Sequence, residues 1–348
     1  MKRISIVMLV LCTCLALAAW SQAPAKHKIT TFDVPGAGTG SGQGTEGAGI
    51  VDDGSVDGYY IDSNNVAHGF FRSSTGHISK FDPKGSVNTF PIGQNSTHSI
   101  VGYYLDSAGV LHGFTRSSSG KIKTVDAPGT GNLGTILEDI NDSGEIAGFY
   151  YDSNGVLVGL VRSSAGKFKT FEAPGTGTGS GQGTGMAGFD GLTDAGAIAV
   201  DGIDSNGVNH GYLRTPGGKY TEFDPTGSVN TYVTGINTKN TIVGEYFDSN
   251  GAVHGFVRKA NGTITQVDVT GAIFTSIYNI NSSGASVGPY VDSSGVYHGF
   301  VRSPGGGIST FSVPGATIGT IPGSNNTAGS ITGNWIDSAG VNHGFVRQ

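Results

Sequence analysis

Asp106-Ser107-Ala108-Gly109-Val110-Leu111-His112-Gly113-Phe114-Thr115-Arg116 is one copy of a phrase that decides how this chain folds. Its opening Asp-Ser recurs at Asp62, Asp106, Asp152, Asp204, Asp248, Asp292 and Asp337. Val stands four residues on in every copy except the fifth, which has Ala252. Next come His68-Gly69-Phe70, His112-Gly113-Phe114, His210-Gly211-Tyr212, His254-Gly255-Phe256, His298-Gly299-Phe300 and His343-Gly344-Phe345. The third copy departs, with Val158-Gly159-Leu160. Two residues further stands an arginine each time: Arg72, Arg116, Arg162, Arg214, Arg258, Arg302 and Arg347. With Arg3, these are all the arginines in the protein.

Around each phrase the sequence reads as four short strands joined by turns. In the third unit the strands fall at 135–141, 145–152, 156–162 and 167–172. The turns between them are Asp142-Ser143-Gly144, Ser153-Asn154-Gly155 and Ser163-Ser164-Ala165-Gly166. Asp, Asn and Ser side chains bond their own backbone in such turns, and Gly supplies positive φ. No stretch sustains a 3.6-residue apolar period, so helices are not expected. Four-stranded meanders repeated at ~40–50 residues predict a β-propeller. The expected fold is all-β: one seven-bladed propeller over 26–348, with repeats starting near 29, 78, 122, 168, 220, 264 and 308. Ile29–Val34 reads as an outer strand with no blade of its own, and the last blade ends on its third strand at Arg347. Joining the two closes the ring and removes exposed pairing edges.

The composition fits. Gly (60) and Pro (12) make up about a fifth of 348 residues, short of the ~25–30% of low-complexity disorder, and there is no collagen period. Residues 1–25 read as a secretory signal peptide: Lys2 and Arg3, an apolar run Ile4–Trp20, then small residues. Both cysteines, Cys12 and Cys14, lie inside it, so secretion leaves neither disulfide nor thiolate chemistry. Cleavage also leaves 18 of the 20 basic residues against 26 acidic ones, a net charge of −8. That excludes the basic surface a nucleic-acid partner needs. No further segment approaches the ~20 apolar residues of a membrane span.

The stretch Ile140-Asn141-Asp142-Ser143-Gly144-Glu145-Ile146-Ala147-Gly148 and its relative Ile280-Asn281-Ser282-Ser283-Gly284 resemble the bacterial extracellular HAF-repeat family. That family is named for a His-Ala-Phe following such a stretch; this chain has His-Gly-Phe. The likeness runs over essentially all of 26–348. It implies a secreted repeat protein of propeller type and carries no catalytic assignment.

The repeated polar residues read as structural. One His per blade lies too far from the next for the ~2–2.6 Å convergence of a metal site. Counting across the hairpin sets His112 diagonal to Asp126, with Asp33, Asp82, Glu172, Asp224 and Asp268 as equivalents. The arginines read as clamps between blades, aimed at turn carbonyls or at Asp52, Asp142 and Asp194. The Asp-Ser turns lack the further acids of a calcium loop. Two Gly-rich insertions, 38–45 and 177–184, have neither the Lys nor the helix of a phosphate loop. They fall on the same face as the Asp-Ser turns, which is therefore the default ligand face.

Residues that break the pattern are the other candidates. Glu138 and Asp139 sit in the third inner strand, Asp190 in the matching stretch of unit four, and Asp201 in its second strand. Near a central channel they read as drift, as a cation or ligand site, or as an acid/base pair. No nucleophile elbow supports a Ser-His-Asp triad. The expectation is a secreted, monomeric binding or surface-interaction module without cofactor, for an extracellular glycan, cell-envelope polymer or protein. Ligand contacts are expected at Gln43, Glu46, Gln182 and Asp190. The alternative is a polysaccharide hydrolase or lyase using Glu138, Asp139, Asp190 and Asp201.

Overall fold

The computed structural model describes residues 27–186, 188 and 190–348, so the signal segment lies outside the described residues. Among those residues there are strands and turns but no helix, and no sheet closes on itself into a barrel. The all-β expectation holds. In unit three the strands are Thr135–Ile140, Ile146–Tyr151, Leu157–Arg162 and Phe168–Phe171, paired antiparallel in sequence order. Unit two repeats the arrangement as a separate four-stranded sheet, Asn88–Gln94, Ile100–Leu105, Leu111–Arg116 and Ile122–Thr124. Other units are joined by single parallel bridges from a third strand to the next inner strand, such as Leu157↔Gly183 and Tyr297↔Gly319. The inner strand of unit six is broken into Phe274–Thr275 and Asn279–Ile280, and that of unit four shortens to Gly183–Met186.

The Asp-Ser phrase builds its turn as its chemistry requires. Asp106 Oδ1 accepts the amides of Ala108 and Val110 at 2.9 Å, and Gly109 turns the chain with φ +80°. In unit one Asn65 takes that left-handed place with φ +63°.

Packing runs from unit to unit. The third-strand aromatics Phe70, Phe114, Phe256 and Phe345 are fully buried. Each meets a phenylalanine on the outer strand before it, edge-on: Phe32–Phe70 at 5.9 Å and Phe81–Phe114 at 6.0 Å between centroids. Burying such a ring contributes about 1.5–3 kcal/mol. The glycine between His and Phe is needed for this. A Cβ at Gly69 would come within 2.7 Å of the Phe81 ring, and one at Gly344 within 2.6 Å of Phe32.

The arginines do link units, but through different partners from those expected. Arg72, Arg116, Arg214, Arg258 and Arg347 lie over Phe32, Phe81, Phe171, Phe223 and Phe311, 4.5–4.9 Å from the ring centres. Asp52, Asp142 and Asp194 instead accept backbone amides of the neighbouring turn, from Thr327, Ser96 and Asp142.

A second link is a buried threonine at the start of each inner strand. Thr45, Thr135, Thr184, Thr275 and Thr320 accept an amide just beyond the preceding outer strand, as in Val34 N–H to Thr45 Oγ1 at 2.9 Å. Pro83 and Pro225 have no amide to offer. There Thr89 and Thr231 donate instead to Asp82 and Asp224. At the chain ends, Ile29–Phe32 pairs antiparallel with Asn342–Arg347.

Candidate functional site

The inner strands all begin at the Asp-Ser end of the molecule and finish at the Asn-x-x-Gly end. At the finishing end lies a cavity of about 230 Å³, with Asp139 and Asp190 in its wall and Asp52, Asp142 and Asp194 on its rim. An asparagine chain surrounds it. Asn95 Nδ2 donates to Asn141 O, Asn141 to Thr193 O, Asn237 to Asn281 O, Asn281 to Asn326 O, and Asn326 to Val51 O. The carbonyl oxygen of the same side chain holds its own turn, as Asn95 Oδ1 does with Ser99 N–H at 3.0 Å.

Asp139 sits at a bulge in its strand, and its carboxylate accepts Ile140 N–H at 2.7 Å and Leu192 N–H at 2.9 Å. Burial, then the neighbouring Asp190, pushes Asp139 well above the usual carboxylate range. Asp190 is raised to about 6 by burial, against the hydrogen bond it accepts from Asn279 Nδ2. Asp57 joins them from the second strand of unit one. It is 0% exposed and raised to about 7 by burial, and neither of its oxygens has a hydrogen-bond partner.

Glu138 and Asp201 form a different group. Burial, then the charge of Asp201, raises Glu138 to about 8. Asp201 is raised to about 7 by burial, against Val233 N–H at 2.8 Å, with Glu245 adding to the rise. Glu46 borders a second cavity of about 320 Å³ with Tyr278, and accepts Tyr59 O–H at 2.6 Å. The four acids expected as one catalytic set therefore fall into two pairs, Asp139 with Asp190 and Glu138 with Asp201.

The two glutamines lie on the opposite face and are occupied by their own loops. Gln43 Oε1 accepts Gly40 N–H and its Nε2 donates to Asn65; Gln182 does the same with Gly179 and Ser205. Gly42 and Gly181 donate to Gly340 and Gly155, so each insertion bridges two successive Asp-Ser turns. Gln43, Gln182, Glu46 and Asp190 are not brought together. At the glutamines' place in the other five units stand Val87, Leu133, Val229, Ile273 and Ile318. These are 41–61% exposed and are five of the six exposed large hydrophobics among the described residues.

The histidines cluster with carboxylates. Nδ1 of His68, His112, His210, His254 and His343 lies 2.8–2.9 Å from Asp82, Asp126, Asp224, Asp268 and Asp33. His298 bonds Ser312 and Asp292 instead. The other ring nitrogen faces the Asp-Ser aspartate, and the ring stacks on a second-strand aromatic, as Trp335–His343 at 4.3 Å. In unit three, Val158 stands in place of the histidine and is buried.

Sequence reasoning missed Asp57 and Asn279. Both were findable by the test that found Asp139. Asp57 stands where other units have Val101, Ala147, Ala199, Val243, Val287 and Thr332, and Asn279 where four have Gly49, Gly93, Gly191 and Gly235.

No protein-family model matches the chain, and no curated protein matches it in sequence. Solved structures do. Virginiamycin B lyase from Staphylococcus aureus superposes with a TM-score of 0.61 at 13% identity, over 93% of this chain and 100% of that one. A streptogramin B lyase gives 0.58 at 13% identity, over 92% and 97%. A prolyl endopeptidase gives 0.55 at 11% identity, over 83% of this chain and 46% of that one. At such identities the likeness defines a propeller-like all-β fold and no chemistry.

Proposed function

We propose that this chain is a secreted seven-bladed propeller of the HAF-repeat type. Its blades are four-stranded, and Ile29–Phe32 completes the last of them. It works as a surface-interaction module that engages an extracellular polymer, carbohydrate in the first instance, through its Asp-Ser face. The strand pairing between the chain ends and the hydrogen bond from Asn326 to Val51 support the closed ring.

One observation carries the binding reading. Five branched aliphatic side chains stand exposed at one repeat position, on one face, interrupted only by the two glutamine-braced insertions. Scattered exposed leucines need no explanation, but exposed apolar groups in register mark a contact surface. The turns between them add backbone and hydroxyl groups for a polar partner.

A glycan array and a pull-down on isolated cell-envelope polymer test this directly. Binding is expected, with at least a tenfold loss in Ile273→Asp combined with Val229→Asp at unchanged melting temperature. Equal binding by that double variant sinks the face assignment. Capture of a protein and no glycan redirects the partner class.

The enzymatic reading also has one specific observation: Glu138, held protonated near neutral pH, beside Asp201. A raised acid next to a second carboxylate is the arrangement of hydrolytic and eliminative sugar chemistry. Incubation with candidate polysaccharides followed by product analysis separates the two readings. Bound but uncleaved polymer eliminates the enzyme.

A further inference from the structure

The inner strands each place one residue at the level of Gly49, opposite the second strand of the same unit. From unit to unit these positions are Gly49, Gly93, Asp139, Gly191, Gly235, Asn279 and Ser324, with Asp190 next to Gly191 in the irregular stretch of unit four. The four glycines do not leave this level empty. Asp57 Oδ1 comes within 2.5 Å of where a Cβ on Gly49 would stand, and Asp139 Oδ1 within 3.2 Å of the equivalent point on Gly93. Asp190 lies against Gly235 through a parallel bridge. This level therefore gathers three carboxylates, an amide and a hydroxyl, of which Asp139 and Asp190 line the cavity.

Nothing basic answers them. None of the residues lining this cavity is Lys, Arg or His, and among the described residues no ion pair reaches Asp57, Asp139 or Asp190. Buried carboxylates of this kind are ordinarily paired or bound to metal. A second set of groups points to a missing partner. Asn279 is 1% exposed and fixed by donating Nδ2 to Asp190, yet its Oδ1 has no partner. Asn325, 5% exposed and in the wall of this cavity, likewise has an unpartnered Oδ1. Unpartnered buried acceptors beside unpaired carboxylates ask for a cation.

We propose that this level of the channel is a site for one hard divalent cation, calcium in the first instance. Asp139, Asp190 and Asn279 Oδ1 are its protein donors, and Asp57 is a third negative charge behind them. The donors are all oxygen, which favours calcium or magnesium over zinc or copper. Calcium tolerates an irregular shell completed by water, whereas magnesium demands a near-ideal octahedron. Water has a place here because Asp57, Asp139 and Asp190 do not bring three oxygens within 4.8 Å of one another. Among the described residues, only His210, Glu222 and Asp224 bring three such ligand atoms within 4.8 Å of one another. That trio is on the surface, with His210 Nδ1 already bonded to Asp224. The acidic rim of Asp52, Asp142 and Asp194 draws cations toward the channel mouth. This site is at the opposite end from the proposed binding face and does not depend on that reading.

The test is calorimetric titration of the chelator-treated full chain with CaCl2, then with MgCl2, alongside melting curves. One calcium per chain is expected, with a melting temperature that climbs with calcium concentration and a weaker response to magnesium. Asp190→Asn is expected to weaken calcium binding at least tenfold, and Asn279→Leu at least threefold. Glu222→Gln, at the surface trio, leaves it unchanged. Should Asp190→Asn fail to fold by circular dichroism, Asn279→Leu gives the reading. Absence of heat and of any melting shift up to about 10 mM CaCl2 overturns the site, as does calcium affinity that survives in the folded variants. Loss of affinity in Glu222→Gln alone moves the ion to the surface and overturns it equally.

Discussion

Nδ1 of His343 lies 2.9 Å from Asp33 Oδ1, across 310 residues of sequence. The same geometry joins histidine and aspartate within a single hairpin in units one, two, four and five, at a separation of 14 residues. The last unit therefore borrows its outer strand, with its acid, from the start of the chain. Phe32 and Val34 come with it: Phe32 packs on Phe70 and Val34 is buried. Deleting 27–36 removes a paired strand and two apolar anchors, about 5 kcal/mol, and is expected to lower the melting temperature by roughly 10 °C or more. The exposed Asp33 by itself is worth little, so Asp33→Asn is expected to change stability by about 0–1 kcal/mol. An unaltered melting curve after the deletion would contradict the joined ends.

The threonine links give a sharper packing test. In Thr184→Val the shape is kept, but Ala173 N–H, which donated to Thr184 Oγ1 at 2.8 Å, is left buried without an acceptor. An unsatisfied buried amide costs about 1–3 kcal/mol. Denaturant unfolding should show that loss with an unchanged m-value. A neutral substitution would mean that water replaces the hydroxyl.

These threonines also show where the sequence was readable and where it was not. The Asp-Ser turns, the strand boundaries of unit three and the outer-strand character of Ile29–Phe32 follow from local chemistry, and the structure gives them within a residue or two. Thr45 through Thr320 recur just as faithfully, but their partners are an amide in some units and the aspartate before a proline in others. Only the packing shows them as one device. The arginines failed for a related reason: a carboxylate is the obvious partner on paper, whereas the outer-strand phenylalanine is the nearer one in space. The off-pattern acids were legible as exceptions, yet their division into two pairs was not. It depends on a bulge at Glu138 and on the irregular stretch that sets Asp190 beside Gly235.

The histidine pairs have a titration signature. Burial works against the charge of His112, but Asp126 and Asp106 outweigh it and hold its pKa above 6.5; Asp224 does the same for His210. A group raised on folding gives stability that is complete below its unfolded pKa and is lost as pH climbs through the folded one. Imidazole chemical shifts followed by NMR should place both midpoints above 6.5, and Asp126→Asn should bring His112 down while leaving His210 in place. A midpoint for His112 that ignores Asp126→Asn would remove the carboxylate as its cause.

Asp201 titrates in the opposite context, with a comparable sense in stability. Its carboxyl is raised from 3.8 to about 7, first by burial and then by Glu245, against Val233 N–H. Between those two values the folded chain holds a proton that the unfolded chain has released. Folding is therefore favoured below pH 4, and that advantage is lost as the pH rises toward 7. Asparagine keeps the shape and the oxygen facing Val233 but has no proton to lose. The Asp201→Asn variant is expected to match the parent near pH 4 and to exceed it at pH 7.5 by up to about 4 kcal/mol, the free-energy equivalent of the full shift. Melting curves at half-unit steps from pH 4 to 8 read the difference directly. Parallel profiles for parent and variant would show that Asp201 ionises in the folded chain as freely as in water. The surroundings of Asp201 would then be wetter than its burial implies, and Glu138 would have lost the neighbour that the enzymatic reading needs.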